Sequence, residues 1–154
     1  MNTSITAESP LAPDLALLMA RHTADMNADT PPESVHMMDA GALAQADAQF
    51  FVLRVDGVPA AMGAIKRIDA AHGEIKSMHV LAELRGHGYA RMMLDHLLAA
   101  ARTLGFARLS LETGTQDMFE PARALYAKAG FTACPPFEGY REDPNSFYMT
   151  RILD

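Results

Sequence analysis

Apolar residues recur along this chain with two periods, and the change from one period to the other marks out the elements. Ala90, Met93, Leu94, Leu97, Leu98, Ala101 and Leu104 have the three-and-four spacing of one buried helix face. They predict a helix from about Gly88 to Leu104, stopped by Gly105. Glu74 to Val80 reads as the strand before it, with Arg85-Gly86-His87-Gly88 as the loop between. Upstream, Ala48 to Val55 is rich in strand formers, and Asp56-Gly57 is a hairpin signal that returns the chain through Pro59 to Ile68. After Gly105, Ala107 to Glu112 reads as a short buried strand, so strand, helix and strand form a β-α-β crossover whose strands run parallel.

The flanks are shorter. Ser4 to Ala7 reads as a first strand and Asp14 to Met26 as a helix introduced by Pro10 and Pro13, with Leu15, Leu17, Leu18, Arg21, His22 and Met26 giving it a mixed, partly apolar face. Asp39 is placed to cap a second short helix with Leu43 inward. Thr113 to Glu120 reads as a loop, and Pro121 to Ala129 as a helix with proline in its first turn and Gly130 at its end. Phe131 to Ala133 and Ser146 to Leu153 are the last strands, joined by the turn-rich stretch from Pro135 to Asn145. The fold class is α/β, an α+β mixed sheet, expected as one domain over residues 1–154.

Composition narrows the function. Thirteen basic and nineteen acidic residues leave a net charge of −6, which argues against nucleic acid or an acidic membrane surface as partner. Cys134 is the one cysteine, so no intrachain disulfide forms. No basic segment followed by an apolar run opens the sequence, and no run approaches membrane-helix length, so a cytoplasmic location is expected. His22, His36, His72, His79, His87 and His96 show neither the i, i+3 or i, i+4 pairing of a metal site nor a cysteine partner, so no metal is expected.

The glycine loop carries the chemistry. Glycines ahead of a helix leave amides uncovered at its positive end, a site suited to phosphate, although the same residues would serve an ordinary turn. Arg85, His87 and Arg91 add positive character. No Gly-Lys-Ser/Thr follows, and Arg91 stands where a dinucleotide fingerprint needs its third glycine.

Arg85-Gly86-His87-Gly88-Tyr89-Ala90, after a strand and opening a helix, resembles the acetyl-CoA loop of the GNAT N-acetyltransferase superfamily. Ala122 to Phe131, with Leu125-Tyr126 and Gly130-Phe131, is similar to a second motif of that family, and the element order resembles it over nearly the whole chain. Leu111-Glu112-Thr113-Gly114 with Asp143-Pro144-Asn145-Ser146 looks like a bacterial branch, the YsnE-like acetyltransferases.

The resemblance implies acetyl transfer from acetyl-CoA to a primary amine by direct attack in a ternary complex. It implies backbone at Met78, His79 and Val80 for the pantetheine arm, with an N–H near Val80 at the thioester oxygen. The pyrophosphate would lie on the loop amides of Gly86, His87, Gly88, Tyr89, Ala90 and Arg91, and Arg85 would bind it or brace the loop. Tyr126 becomes the candidate acid for the leaving thiolate, and Glu74 and Glu112 are alternative bases beside a water relay. Phe119 stands where many members carry asparagine.

Glu33 and His36 are candidate acceptor contacts, and His79, next to Met78, is expected to face the acceptor cleft. Asp25, Asp29, Glu33 and Asp39 lend that region an acidic cast, which favours a small amine, with a protein amine second. A homodimer is compatible with this reading. The competing class is a non-catalytic acyl-CoA-binding regulatory module.

Overall fold

A computed structural model describes residues 2–28 and 30–154. The strands are β1 (Thr3–Ala7), β2 (Ala48–Val55), β3 (Val58–Arg67), β4 (His72–Val80), β5 (Arg108–Gly114), β6 (Thr132–Ala133) and β7 (Ser146–Ile152). The helices are α1 (Ala16–Ala28), α2 (Ala40–Gln45), α3 (Tyr89–Thr103) and α4 (Glu120–Lys128). The sheet order is β1-β2-β3-β4-β5-β7-β6, and of the described strand pairs only β4 with β5 is parallel. The expected mixed sheet with its central β-α-β unit is therefore present.

The sheet divides the core because strand side chains alternate between faces. Phe51, Leu53 and Ile65 join Met93, Leu94, Leu97 and Ala101 of α3 on one side. Phe50, Val52, Met62 and Ala64 meet Leu15, Leu18 and Leu43 on the other. Met93, Leu94 and Leu97 are fully buried, each worth about 1.5–3 kcal/mol of apolar transfer. Asp39 caps α2, accepting from the Ala42 amide at 2.8 Å.

Several boundaries move for local reasons. A 3-10 turn over Pro13–Leu15 precedes α1, and of that mixed face Leu15, Leu18 and His22 are buried while Leu17 is exposed. Thr113 and Gly114 extend β5 where a loop was expected, because they pair with Phe147 and Ser146 of β7. The next turn is compact: Arg123 donates to the carbonyls of Gly114 and Gln116 at 2.7 and 3.1 Å.

Two irregularities shape the site. Pairing of β4 with β5 is recorded from His72–Arg108 to Glu74–Ser110 and no further, so the strands part toward their C-terminal ends. Pairing of β4 with β3 slips between Met62 and Ala64, where Ser77 has a φ of 57°. This bulge places two residues of β4 opposite one of β3 and reverses the alternation beyond it. Glu74 and Lys76 precede the bulge on the α1 side. Met78 follows it on the α3 side, against Met93 and Leu97.

Candidate active site

The parting of β4 and β5 opens a slot of about 100 Å3, lined by Glu74 to Met78, Leu111 to Thr113 and, from the helical side, Phe119, Ala122 and Tyr126. A cleft of about 590 Å3 adjoins it, and Glu74, Lys76 and His36 line both. The two spaces therefore meet over the middle of β4.

At one end lies the glycine loop. Gly86 and Gly88 have φ values of 86° and 82°, which explains glycine at both positions. Gly88 is the N-cap of α3, and its carbonyl accepts from Met92, so the first-turn amides that follow lack helical partners. Arg85 turns back from this surface, donating through Nε to the Val80 carbonyl at 3.2 Å and through a terminal nitrogen to Asp25 at 3.1 Å. It braces the loop. The His87 ring stacks on Tyr89 and contacts the Leu84 carbonyl, and Arg91 is paired to Asp95.

Backbone polarity along β4 follows from pairing. The Leu81 N–H donates toward β3, to Ala60 at 3.0 Å. Backbone groups alternate along a strand, so the Val80 N–H turns the other way, into the gap facing β5.

The slot's ionisable groups differ in environment. Burial pushes the Glu112 carboxyl up to about 7, against the pull of Lys76. Burial raises the Tyr126 hydroxyl well above the ordinary tyrosine range, so that it stays protonated. Glu74 is 2 % exposed and held: Tyr140 Oη donates to it at 2.5 Å, and Lys76 Nζ lies 3.5 Å away. Lys76 also donates to Tyr140 Oη and to the His36 carbonyl, both at 2.9 Å.

Glu33 and His36 line the cleft, and the His36 ring meets Tyr140 edge-on. His79 does not face it. The bulge at Ser77 turns His79 under α1, where it is buried, packs edge-on against His22 and lies 3.9 Å from Asp25. Of the residues expected to give an acidic cast, Asp25 is paired to Arg85 and Asp39 caps α2, while Glu33 lines the cleft together with Glu74, Glu138, Glu142 and Asp143. Asp29 lies outside the described residues.

Lys76, Tyr140 and His22 were missed from the sequence. Lys76 had a usable signal, since it stands two residues from Glu74 and so shares its strand face. Tyr140 had none, lying in the connection between Pro135 and Asn145. Phe119 enters the slot, and a Cβ on Gly114 would come within 2.3 Å of its ring, so that glycine makes room for it. Among the described residues no group of three or more histidine, cysteine, aspartate or glutamate side chains is placed to hold a metal. Among the described residues no helix is long and apolar enough to cross a membrane.

Comparison with known proteins agrees with this geometry. The acetyltransferase (GNAT) family pattern matches residues 17–131. An uncharacterized N-acetyltransferase, YsnE, of Bacillus subtilis is 42 % identical over 88 % of this chain and 90 % of its own. An IAA acetyltransferase of Azospirillum brasilense is 35 % identical over 99 % of each. The fold is also that of the PaiA N-acetyltransferase of Thermoplasma acidophilum, solved with coenzyme A, at a TM-score of 0.78, 15 % identity and 99 % coverage of both chains.

Proposed function

We propose that this chain, which belongs to the acetyltransferase (GNAT) family, moves the acetyl group of acetyl-CoA directly to the primary amine of a small metabolite. Membership makes it an acetyltransferase that draws on acyl-CoA. The finer reading rests on one observation: a slot between parted parallel strands holds a carboxyl tuned near neutrality and a protonated phenol, and opens onto a cleft.

In this reading the amides from Gly86 to Arg91 hold the pyrophosphate, and the pantetheine arm lies in the gap along Met78, His79 and Val80. The Val80 N–H donates to the thioester oxygen as it gains charge. The amine enters from the cleft and attacks the thioester carbon. Glu112 takes the proton that the nitrogen sheds, and the carbon–sulfur bond breaks. Tyr126 gives its proton to the departing sulfur. Glu74, occupied by Tyr140 and Lys76, orders the floor where slot and cleft meet.

The test combines binding and turnover. Acetyl-CoA at about 100 times its dissociation constant should stabilise the fold by about 2.7 kcal/mol, read as a rise in Tm. Thiol release should then require an amine, and Tyr126→Phe should cut it about tenfold or more at unchanged acetyl-CoA affinity. Binding without thiol release on any amine would make the protein a binding module instead.

A further inference from the structure

We infer that the acceptor is a primary amine that also carries an acid group, an amino acid foremost, with the acid seated at Lys66 in the end of the cleft remote from the thioester slot. This rests on the reading of slot and cleft given above.

Strand register sets the layout. Lys66 of β3 stands opposite Glu74 of β4, which stands opposite Ser110 of β5. Partners across a sheet share a face, and residues two apart on a strand share it too. Lys66, Glu74, Lys76 and Glu112 therefore rise from one face. Lys66 lines the cleft but not the slot, and Glu112 lines the slot but not the cleft.

Most charges on this floor are already committed. An ammonium has three protons to donate. Lys76 gives two of its own to the His36 carbonyl and Tyr140 Oη and is ion-paired to Glu74 at 3.5 Å, so its charge is already engaged. Asp143 accepts from Ser34 Oγ at 2.6 Å and from the Asn145 amide at 2.8 Å. Glu33, Glu138, Arg141 and Glu142 are exposed at the lip and solvated. Lys66 differs from all of these. It is only partly exposed, and among the described residues no carboxylate pairs with it.

An ammonium without a carboxylate partner is open to a charge-assisted contact, and an incoming anion supplies it. Arg141, without an ion pair among the described residues and with its carbonyl held by Tyr148 Oη at 2.7 Å, offers a second cation on the lip. The cleft is thus polar end to end, with a base near the slot and a free cation away from it. Lys66 stands two strands from Ser110, and Glu112 lies two residues further along β5, so Lys66 and Glu112 are roughly 12 Å or more apart across the sheet. After the reach of both side chains, a few bonds separate amine from acid. A carboxylate and a phosphate would each satisfy Lys66.

The test measures thiol release from acetyl-CoA with matched pairs. Amino acids, including β-alanine and γ-aminobutyrate, are set against their decarboxylated amines, and phosphoethanolamine against ethanolamine. The acidic partner should be favoured about tenfold or more in KM. Lys66→Met should erase the preference through KM with kcat little changed, and Lys66→Arg should keep it. Equal use of both partners, or a preference that survives Lys66→Met, overturns the inference. A preference confined to phosphoethanolamine upholds it with phosphate as the anion.

A second measurement separates it from the transfer reading. N-acetyl amino acids should raise the Tm of the CoA complex above that reached with their amides, and Lys66→Met should abolish the difference. If no amine releases thiol but this Lys66-dependent rise persists, the anion seat stands and amine transfer falls. If thiol is released without it, the transfer stands and the anion seat falls.

Discussion

The two ends of this site are made of different material. The proposed donor end is one contiguous run, Arg85 to Arg91, which presents backbone amides through two left-handed glycines and a helix start. The acceptor end is a set of side chains drawn from residues 33–38, from Lys66, from Glu74 and Lys76, and from residues 138–143. A backbone site tolerates changes of side chain so long as its dihedral angles survive. A side-chain site depends on each member and on the partners that hold it. Substitutions should therefore separate the two ends cleanly.

The largest effect should come from Glu112→Gln, which removes the proposed base at the junction. General-base loss typically costs about 10²–10⁴-fold in rate. The kcat of this variant should fall by about that factor while acetyl-CoA affinity, measured by titration, holds. Wild-type rate should also climb as pH rises through about 7, because burial favours the neutral acid and the base exists only once it is lost. An unchanged profile in Glu112→Gln would hand the role to another group.

Next is Lys76→Met, which leaves Glu74 buried without its cation. Breaking a buried pair from one side costs about 3–5 kcal/mol. Chemical denaturation should show most of that loss, and Glu74→Gln in the same chain should restore part of it. A variant as stable as wild type would mean that the floor of the cleft does not depend on this pair.

Acid should act on the α1 side of the sheet. Burial lowers the His22 pKa to about 4, with His79 pushing the same way. Above pH 6.5 the ring is neutral folded and unfolded, so it contributes nothing to pH dependence. Below 6.5 the unfolded chain takes up a proton that the folded one refuses until about pH 4. Stability is thus lost as pH falls through that window, by about 3 kcal/mol from this residue alone. His22→Gln should flatten the fall between pH 6.5 and 4, and an equally steep curve would remove His22 as its cause.

The smallest effect is expected at the donor end. Gly88→Val forces a branched side chain onto a φ of 82° and sets its Cβ, which meets no protein atom within 4 Å, on the exposed surface of the loop. Strain of about 1–2 kcal/mol should weaken CoA binding about tenfold without touching residues of the cleft. Unchanged affinity in the folded variant would move the phosphate elsewhere.

What was legible follows the same division. The α3 face, the Asp56-Gly57 hairpin, the Asp39 cap and the glycine loop are each written in residues a few positions apart, because dihedral preference and helical spacing act locally. Placing Glu112 and Tyr126 on one slot needed the family resemblance as well. His79 was misplaced because α1 covers it: the bulge at Ser77 sets it on the same face as Glu74 and Lys76, but there it packs against His22 and Asp25 rather than opening to the cleft. Tyr140 was invisible because it reaches Glu74 across 66 positions, from a connection with no period to read.

By itself, then, the sequence determined the order of elements, the class of fold and the glycine turn ahead of α3, since each depends on neighbours along the chain. Only the tertiary structure decided which carboxylate is neutralised and which is tuned. That distinction depends on burial and on partners such as Lys76 and Tyr140, and these meet only when neighbouring strands and a distant connection share one face of the sheet.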